Sequence, residues 1–115
     1  MIVSPLIVLP FPPSSLSGHA KGSWHGKSGI VKQWRDRACD ATREAMPTIP
    51  AEGDIRVHIT FIPPNLRGDR VNFPNRCKPI YDGIADALGV NDARFLPSFT
   101  FKPPAAPGLL QILVW

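Results

Sequence analysis

The residues of this 115-residue chain best suited to chemistry fall between positions 65 and 94. Asp69 and Asn72 precede a stretch of helical periodicity, Lys78 and Asp82 stand one turn apart at its start, and Asn91 and Asp92 follow its end. A compact fold whose turns lead the two ends of that helix back toward each other would bring Asp69, Asn72 and Asp92 together. Two neighbouring carboxylates repel unless a cation neutralises them, and hard oxygen donors suit Mg²⁺, which keeps waters and takes one or two carboxylates together with a phosphate. Lys78 would then stand where negative charge grows on a phosphate under attack. The same residues have ordinary roles to play: Asp69 as a turn cap, Asn72 or Asn75 as a helix cap, and Asp92 as an acceptor for loop N–H groups. On spacing alone these are the commoner roles. Asp82 either orients Lys78 or forms a simple surface pair with it.

Proline-bounded elements must position these groups. The apolar run 6–9 is stopped by Pro10, Pro12 and Pro13, which fits a buried first strand ending near Pro10. Residues 14–29 are rich in Ser and Gly and carry His19, Lys21, Trp24, His25 and Lys27, the pattern of a mobile basic loop. Ile30, Trp34, Ala38, Ala41 and Ala45 line up on one face of a helix over 30–46, stopped by Pro47 and Pro50. Ile55, Val57, Ile59 and Phe61 alternate with Arg56, His58 and Thr60 in a half-buried strand. Cys77, Ile80, Ile84 and Leu88 predict a second helix over 75–88, with Pro79 in its first turn and Gly89 at its C-terminal end. Phe99 and Phe101 mark a further strand, and 109–115 reads as a closing hairpin strand. The order predicts an α+β fold, a two-layer domain with a mixed β-sheet and two main helices packed on it.

Composition narrows the class of partner. The length suits one domain over 1–115, and no apolar run approaches the roughly 18 residues a membrane-spanning helix needs. Proline at 14 residues is high, yet with 9 glycines it stays below the share that signals disorder. Thirteen Lys and Arg against nine Asp and Glu give a net charge of +4, and the first 35 residues hold Lys21, Lys27, Lys32 and Arg35 with no acid. That distribution favours a polyanionic partner. Two cysteines, Cys39 and Cys77, are too few for a disulfide framework and fit a reduced, cytoplasmic setting. The apolar start lacks a basic flank and is cut by Pro5, so it reads as a strand and not as an export signal. The histidines lack zinc-ligand spacing with either cysteine, and neither a Gly-rich phosphate cradle nor a Ser nucleophile elbow is present.

Over nearly its whole length the chain resembles the RusA family of Holliday-junction resolvases. Leu9-Pro10-Phe11-Pro12-Pro13-Ser14 is similar to that family's Leu-Pro-x-Pro-Pro-Ser opening. Asp69 to Lys78 with Asp82 is similar to its Asp-x-Asp-Asn, Lys, Asp-Ala-Leu region, and Gly89-Val90-Asn91-Asp92 resembles its Gly-Val followed by an Asp pair. The resemblance implies a homodimeric, Mg²⁺-dependent endodeoxyribonuclease that cuts four-way DNA junctions symmetrically in recombination and repair, of a kind often phage-derived. Two-fold protein symmetry would match the pseudo-symmetry of a junction. The strand 109–115 suits either that interface or a central place in the core.

Two alignments of the middle motif compete. Anchored on Asp69 and Asn72, the family's first Asp and its Asn are kept, Val71 replaces the second Asp, and three extra residues precede Lys78. Anchored on Lys78, Asn75 keeps its place while Asn72 and Pro74 replace both acids. In either case Asn91 replaces the first of the later Asp pair. The first anchor preserves a metal-competent pair, Asp69 and Asp92, with Asn72 as a neutral oxygen ligand, and implies a weakened or altered metal site. On that resemblance Mg²⁺ would activate the attacking water, Lys78 would stabilise the pentacovalent charge, and Arg67, Arg70 and Arg76 would grip flanking phosphates. Lys21 and Lys27 would add phosphate contacts, with Trp24 either stacking on an unpaired base or covering the core.

Overall fold

The last strand runs against all the others and lies between them. The computed structural model describes residues 5–17 and 24–115, and the backbone alone for 24–27. Strands β1 (Ile7–Pro10), β2 (Ile55–Ile62), β3 (Phe95–Phe101) and β4 (Leu109–Val114) form one sheet in the order β1-β4-β2-β3. β2 and β3 are parallel, and β4 is antiparallel to both β1 and β2. Parallel strands need long crossovers, and α1 (Trp24–Ala45) and α2 (Lys78–Leu88) supply them. The architecture is therefore α+β, a four-stranded mixed sheet with two main helices packed on it, as the pattern of elements predicts.

Alternation sets the inner face. Ile55, Val57, Ile59 and Phe61 of β2, with Leu110, Ile112 and Val114 of β4, are fully buried. They meet Trp34 and Ala38 of α1 and Ile80 and Ile84 of α2 in one core. Those two pairs are the helical-spacing positions, so the 3.6-residue period read from the sequence is the packing face. Among the described residues no helix covers the opposite face of the sheet, and Val8 and Leu96 remain 51% and 45% exposed there.

Three expectations change. The segment 109–115 is not the hairpin partner of β3, because β2 lies between them. The connection crosses the end of β2, held by Lys102 N–H donating to the Phe61 carbonyl at 2.9 Å and Ala105 N–H to that of Pro63 at 2.8 Å. A central place explains the strand's apolar character without an interface. Second, α1 starts at Trp24, so the expected loop over 14–29 ends earlier and is helical from there, with a 3-10 turn at Ser14–Leu16. Each added residue gains a backbone hydrogen bond, which offsets the cost of Gly26 and Gly29. Third, α2 starts at Lys78 and not at residue 75. Pro79 has no N–H to donate to Asn75, so the regular ladder opens with Tyr81 N–H on the Cys77 carbonyl at 2.9 Å. The residues before it wind into a 3-10 turn, Arg70–Arg76. Gly89, at φ 66°, ends α2 in the left-handed conformation expected of a C-terminal glycine.

The two helices approach most closely at Gly83. A Cβ there would lie 2.2 Å from the Arg35 carbonyl oxygen and 2.9 Å from the Cys39 nitrogen, both backbone atoms that cannot rotate away. The bidentate Arg35–Asp86 pair, at 2.6 and 2.9 Å, joins the same helices at their exposed edge. Gly83→Ala will therefore force the helices apart and destabilise the chain by about 1–3 kcal/mol, the usual cost of overpacking. Chemical denaturation of the two proteins checks this, and an unchanged midpoint would refute the contact.

Candidate functional site

Helix α2 carries the candidate site at its first turn and receives Asp92 from the chain beyond its last. Lys78 is the first helical residue, and its ammonium donates to Asp82 at 2.9 Å and to Asp92 at 2.5 Å. Gly89 turns the chain back along the helix, and a short 3-10 turn, Asp92–Arg94, presents Asp92 to Lys78. Asn91 caps that turn, its side chain accepting from Ala93 N–H at 2.8 Å. Arg94 fixes it from the other side, donating to the backbone carbonyls of Gly53 and Pro50 at 2.9 Å each. Asp92 is thus held by backbone-anchored neighbours on both sides.

The electrostatics follow from this geometry. The hydrogen bond from Lys78, then its charge, holds the Asp92 carboxyl below the ordinary carboxylate value of 3.8. Bonds from Lys78 to Asp92 first and Asp82 second raise the lysine above its ordinary 10.5. Both shifts favour the charged forms of Lys78 and Asp92, and the ammonium lies at the point where the two acidic side chains converge. A depressed folded-state pKa gives stability that is full above the unfolded value and is lost as pH falls through the folded one. For Asp92 that loss lies below about pH 4.

The structure brings Lys78, Asp82 and Asp92 together and leaves Asp69 outside their ion pairs. Asp69 stands exposed at the N-cap of the 3-10 turn with no side-chain capping bond, and its carbonyl accepts from Asn72 N–H at 2.9 Å. Asn72 and Asn75 are exposed on that turn. Among the described residues no three of His, Cys, Asp and Glu gather as a metal cage would. In kind the donors present suit Mg²⁺, because the two carboxylates already meet at one cation.

The three arginines are treated differently. Arg67 and Arg70 are exposed beside Leu66 and Val71, which are 84% and 81% exposed. Arg67 N–H donates to Asn65 Oδ1 at 2.9 Å, an Asx turn. Arg76 lies half-buried over the faces of Phe11 and Phe73, its guanidinium carbon 5.7 and 5.1 Å from the two ring centres. Lys21 lies outside the described residues, as do the side chains of Trp24 and Lys27.

Two supports escaped the sequence reading. Arg94 gave no periodic or motif signal, since its partners are carbonyls some forty residues away. Phe73 is 2% exposed and pins the 3-10 turn to Phe61 at 5.8 Å and to Phe11 at 5.0 Å. Its only signal is that it is apolar within a polar stretch. Cys77, fully buried beside it, has its thiol pushed up to about 12 by burial and takes no part in chemistry at neutral pH.

No family model matches the chain. An uncharacterized protein of Xylella fastidiosa (strain Temecula1 / ATCC 700964) is 40% identical over 94 residues, 78% of this chain and 61% of the relative. The chain thus spans less than two thirds of the length of the relative it matches.

Lys78→Met removes the hydrogen bond and the charge that hold Asp92 ionised. Carboxyl-carbon NMR across pH 2–7 will place the Asp92 midpoint below about 3.9 in the parent and move it upward in the variant. Equal midpoints would show that the pair is not formed in solution.

Proposed function

We propose that the chain is a Mg²⁺-dependent, structure-specific endodeoxyribonuclease that resolves four-way (Holliday) junctions in recombination and repair, as a homodimer in the cytoplasm. The observation that carries the proposal is the meeting of Lys78 and Asp92. They are fourteen residues apart in sequence, belong to two separate matches to the RusA family, and bond directly in space. The exposed Arg67 and Arg70 lie on the segment leading to that pair and suit contacts to flanking phosphates, which position a strand without reading its sequence. The net charge of +4 favours the same partner. Among the described residues no helix is long and apolar enough to cross a membrane.

In this reading Asp92 would hold the metal, with Asp82 the second carboxylate at the same point, while Asp69 and Asn72, the further ligands that the resemblance implies, stand on the preceding turn outside that cluster. Bound Mg²⁺ supplies a water of lowered pKa and neutralises phosphate charge. Lys78, released from one carboxylate, donates to the phosphate oxygen on which charge accumulates. Arg94 and Asn91 act by positioning, because they hold the Asp92 turn against the 50–53 loop and so keep its carboxylate aimed at the helix.

A specific observation favours a second reading, a branched-DNA-binding homodimer with weakened or absent catalysis. Val71, at the position of the family's second acid in the first alignment, is 81% exposed and supplies no ligand.

Cleavage of a labelled mobile four-way junction, beside a linear duplex of the same sequence, in Mg²⁺ and at saturating protein, separates the two. Paired symmetrical nicks in the junction alone are expected. Lys78→Met should lower their rate roughly 10²- to 10³-fold, the usual effect of removing one oxyanion donor, while changing junction affinity far less. Asp92→Asn should abolish them. Junction bound but left whole would establish the binding-only reading, and weak binding without steep salt dependence would refute both.

A further inference from the structure

A concavity that Lys78 does not line opens elsewhere on the described residues. It is a cleft of about 390 Å³ between the proline-rich segment after β1 and the loop after β2, with Phe11, Ser14, Asn65, Arg67 and Arg76 in its lining. Pro12, Pro64 and Pro107 complete flat apolar walls, and no acidic side chain faces it.

Arg76 makes this cleft more than a surface fold. Its guanidinium lies over the faces of Phe11 and Phe73, which touch each other, its Nη1 donates to the Pro12 carbonyl at 3.0 Å, and its Nε is buried without a partner among the described residues. Among those residues no carboxylate acts on it, and partial burial works against its charge. A partly desolvated cation without a carboxylate beside it gains from an anion that reaches its exposed side. Gly68 turns past the same group at φ 85°, leaving the Arg76 Nη2 3.5 Å from where a Cβ would stand, so the loop backbone lies directly over the guanidinium. The fork of Arg76 suits bidentate contact with phosphate oxygens, and Arg67 adds a second cation at the rim. The Asn65 carbonyl oxygen is already taken by Arg67 N–H, which leaves its amide group to donate.

The volume exceeds what a phosphate alone fills and lies within the range of small-molecule sites. Phe11 and the proline walls offer planar apolar surface beside the cationic end. We propose that this cleft binds a single nucleotide, its phosphate on Arg76 and Arg67 and its base against Phe11 and the prolines. The nucleotide is either free or one unstacked unit of a strand. The site shares nucleic-acid chemistry with the proposed function but rests neither on the metal nor on Lys78.

Isothermal titration and backbone amide NMR in EDTA, where no cleavage occurs, test this with inorganic phosphate, deoxycytidine monophosphate and a five-residue oligodeoxycytidylate. The monophosphate should bind more tightly than inorganic phosphate and shift the Ser14 and Gly68 amides. Arg76→Met should weaken it roughly tenfold or more, as loss of a charged hydrogen-bond donor does, with a Tm equal to or above the parent's. Arg67→Ala, an exposed change that leaves the packing intact, should weaken it severalfold. A tighter fit for the oligonucleotide assigns the site to a strand, and equal affinity assigns it to the free nucleotide. Three results overturn the proposal: no shift at Gly68, inorganic phosphate binding as well as the nucleotide, or undiminished affinity in both variants. Loss of junction cleavage in Asp92→Asn with nucleotide binding retained would bear only on the proposed function. Absent nucleotide binding with cleavage intact would bear only on this cleft.

Discussion

Burial of Phe73 turns a polar, proline-broken segment into a structured one. Without an apolar anchor, residues 65–76 would have no reason to lie on the sheet, because Asn, Arg, Gly and Asp gain nothing from leaving water. Phe73 inserts its ring beside Phe61 and Phe11 and takes the 3-10 turn with it. Three consequences follow from that one insertion. Arg76 is drawn over the faces of two rings, Cys77 is carried into the core, and α2 begins where Lys78 can face Asp92. The aromatic contacts extend through Phe61 to Phe101, stacked at 5.3 Å, so the site segment and the edge strand β3 share one cluster.

Two cations near each other in sequence meet opposite electrostatic fates. Lys78 is mostly exposed and has two carboxylates; Arg76 is half-buried and has none. Solvent screening makes the first arrangement cheap, and its energetic weight small, despite its short bonds. Desolvation makes the second expensive. The compensated cluster is therefore poised to exchange partners, since the ammonium loses little on leaving one carboxylate for a phosphate oxygen. The guanidinium, held by a carbonyl and two ring faces and by no carboxylate, has no ion pair to give up to an anion that would reach it.

The strands and both helices were legible in the sequence because their signal is local. β2 alternates at every position, and the Ile30, Trp34, Ala38 face of α1 packs where its period put it. The place of β4 was not legible, because 109–115 carries the same alternation whether it pairs with β3 or slides between β1 and β2. What decides is the length of the 102–108 connection and its bonds across the end of β2, neither of which periodicity encodes. The α2 boundary followed from a missing N–H at Pro79, a covalent fact visible in the sequence but read only as tolerance for a first turn. In the site, Lys78 with Asp82 was readable at helical spacing, and Asp92 depended on a turn at Gly89. The burial of Arg76 was hidden, because a solvated arginine and one laid over two rings have the same neighbours in sequence.

The Asp92 turn shows why the site tolerates exchange at its centre. Its rigidity comes from neutral partners: Asn91 caps the turn, and Arg94 is satisfied by two carbonyls of the 50–53 loop, which no change of ionisation removes. Had the turn been held by the Lys78 bond alone, drawing Lys78 away would release Asp92 as well, and a group bound there would have to order the loop as it bound. With the backbone fixed independently, the carboxylate stays in place while its counter-ion changes. In the proposed reading, the same division would let the chain keep the geometry of this corner with Val71 and Asn91 where the resemblance implies acids. Asn91 exchanges a carboxylate for a cap, and Val71, exposed and outside the core, costs the fold nothing. The architecture of the corner is thus independent of how many acids line it, and the chemistry proposed for it would depend on Asp92, Asp82 and the release of Lys78 from one of them.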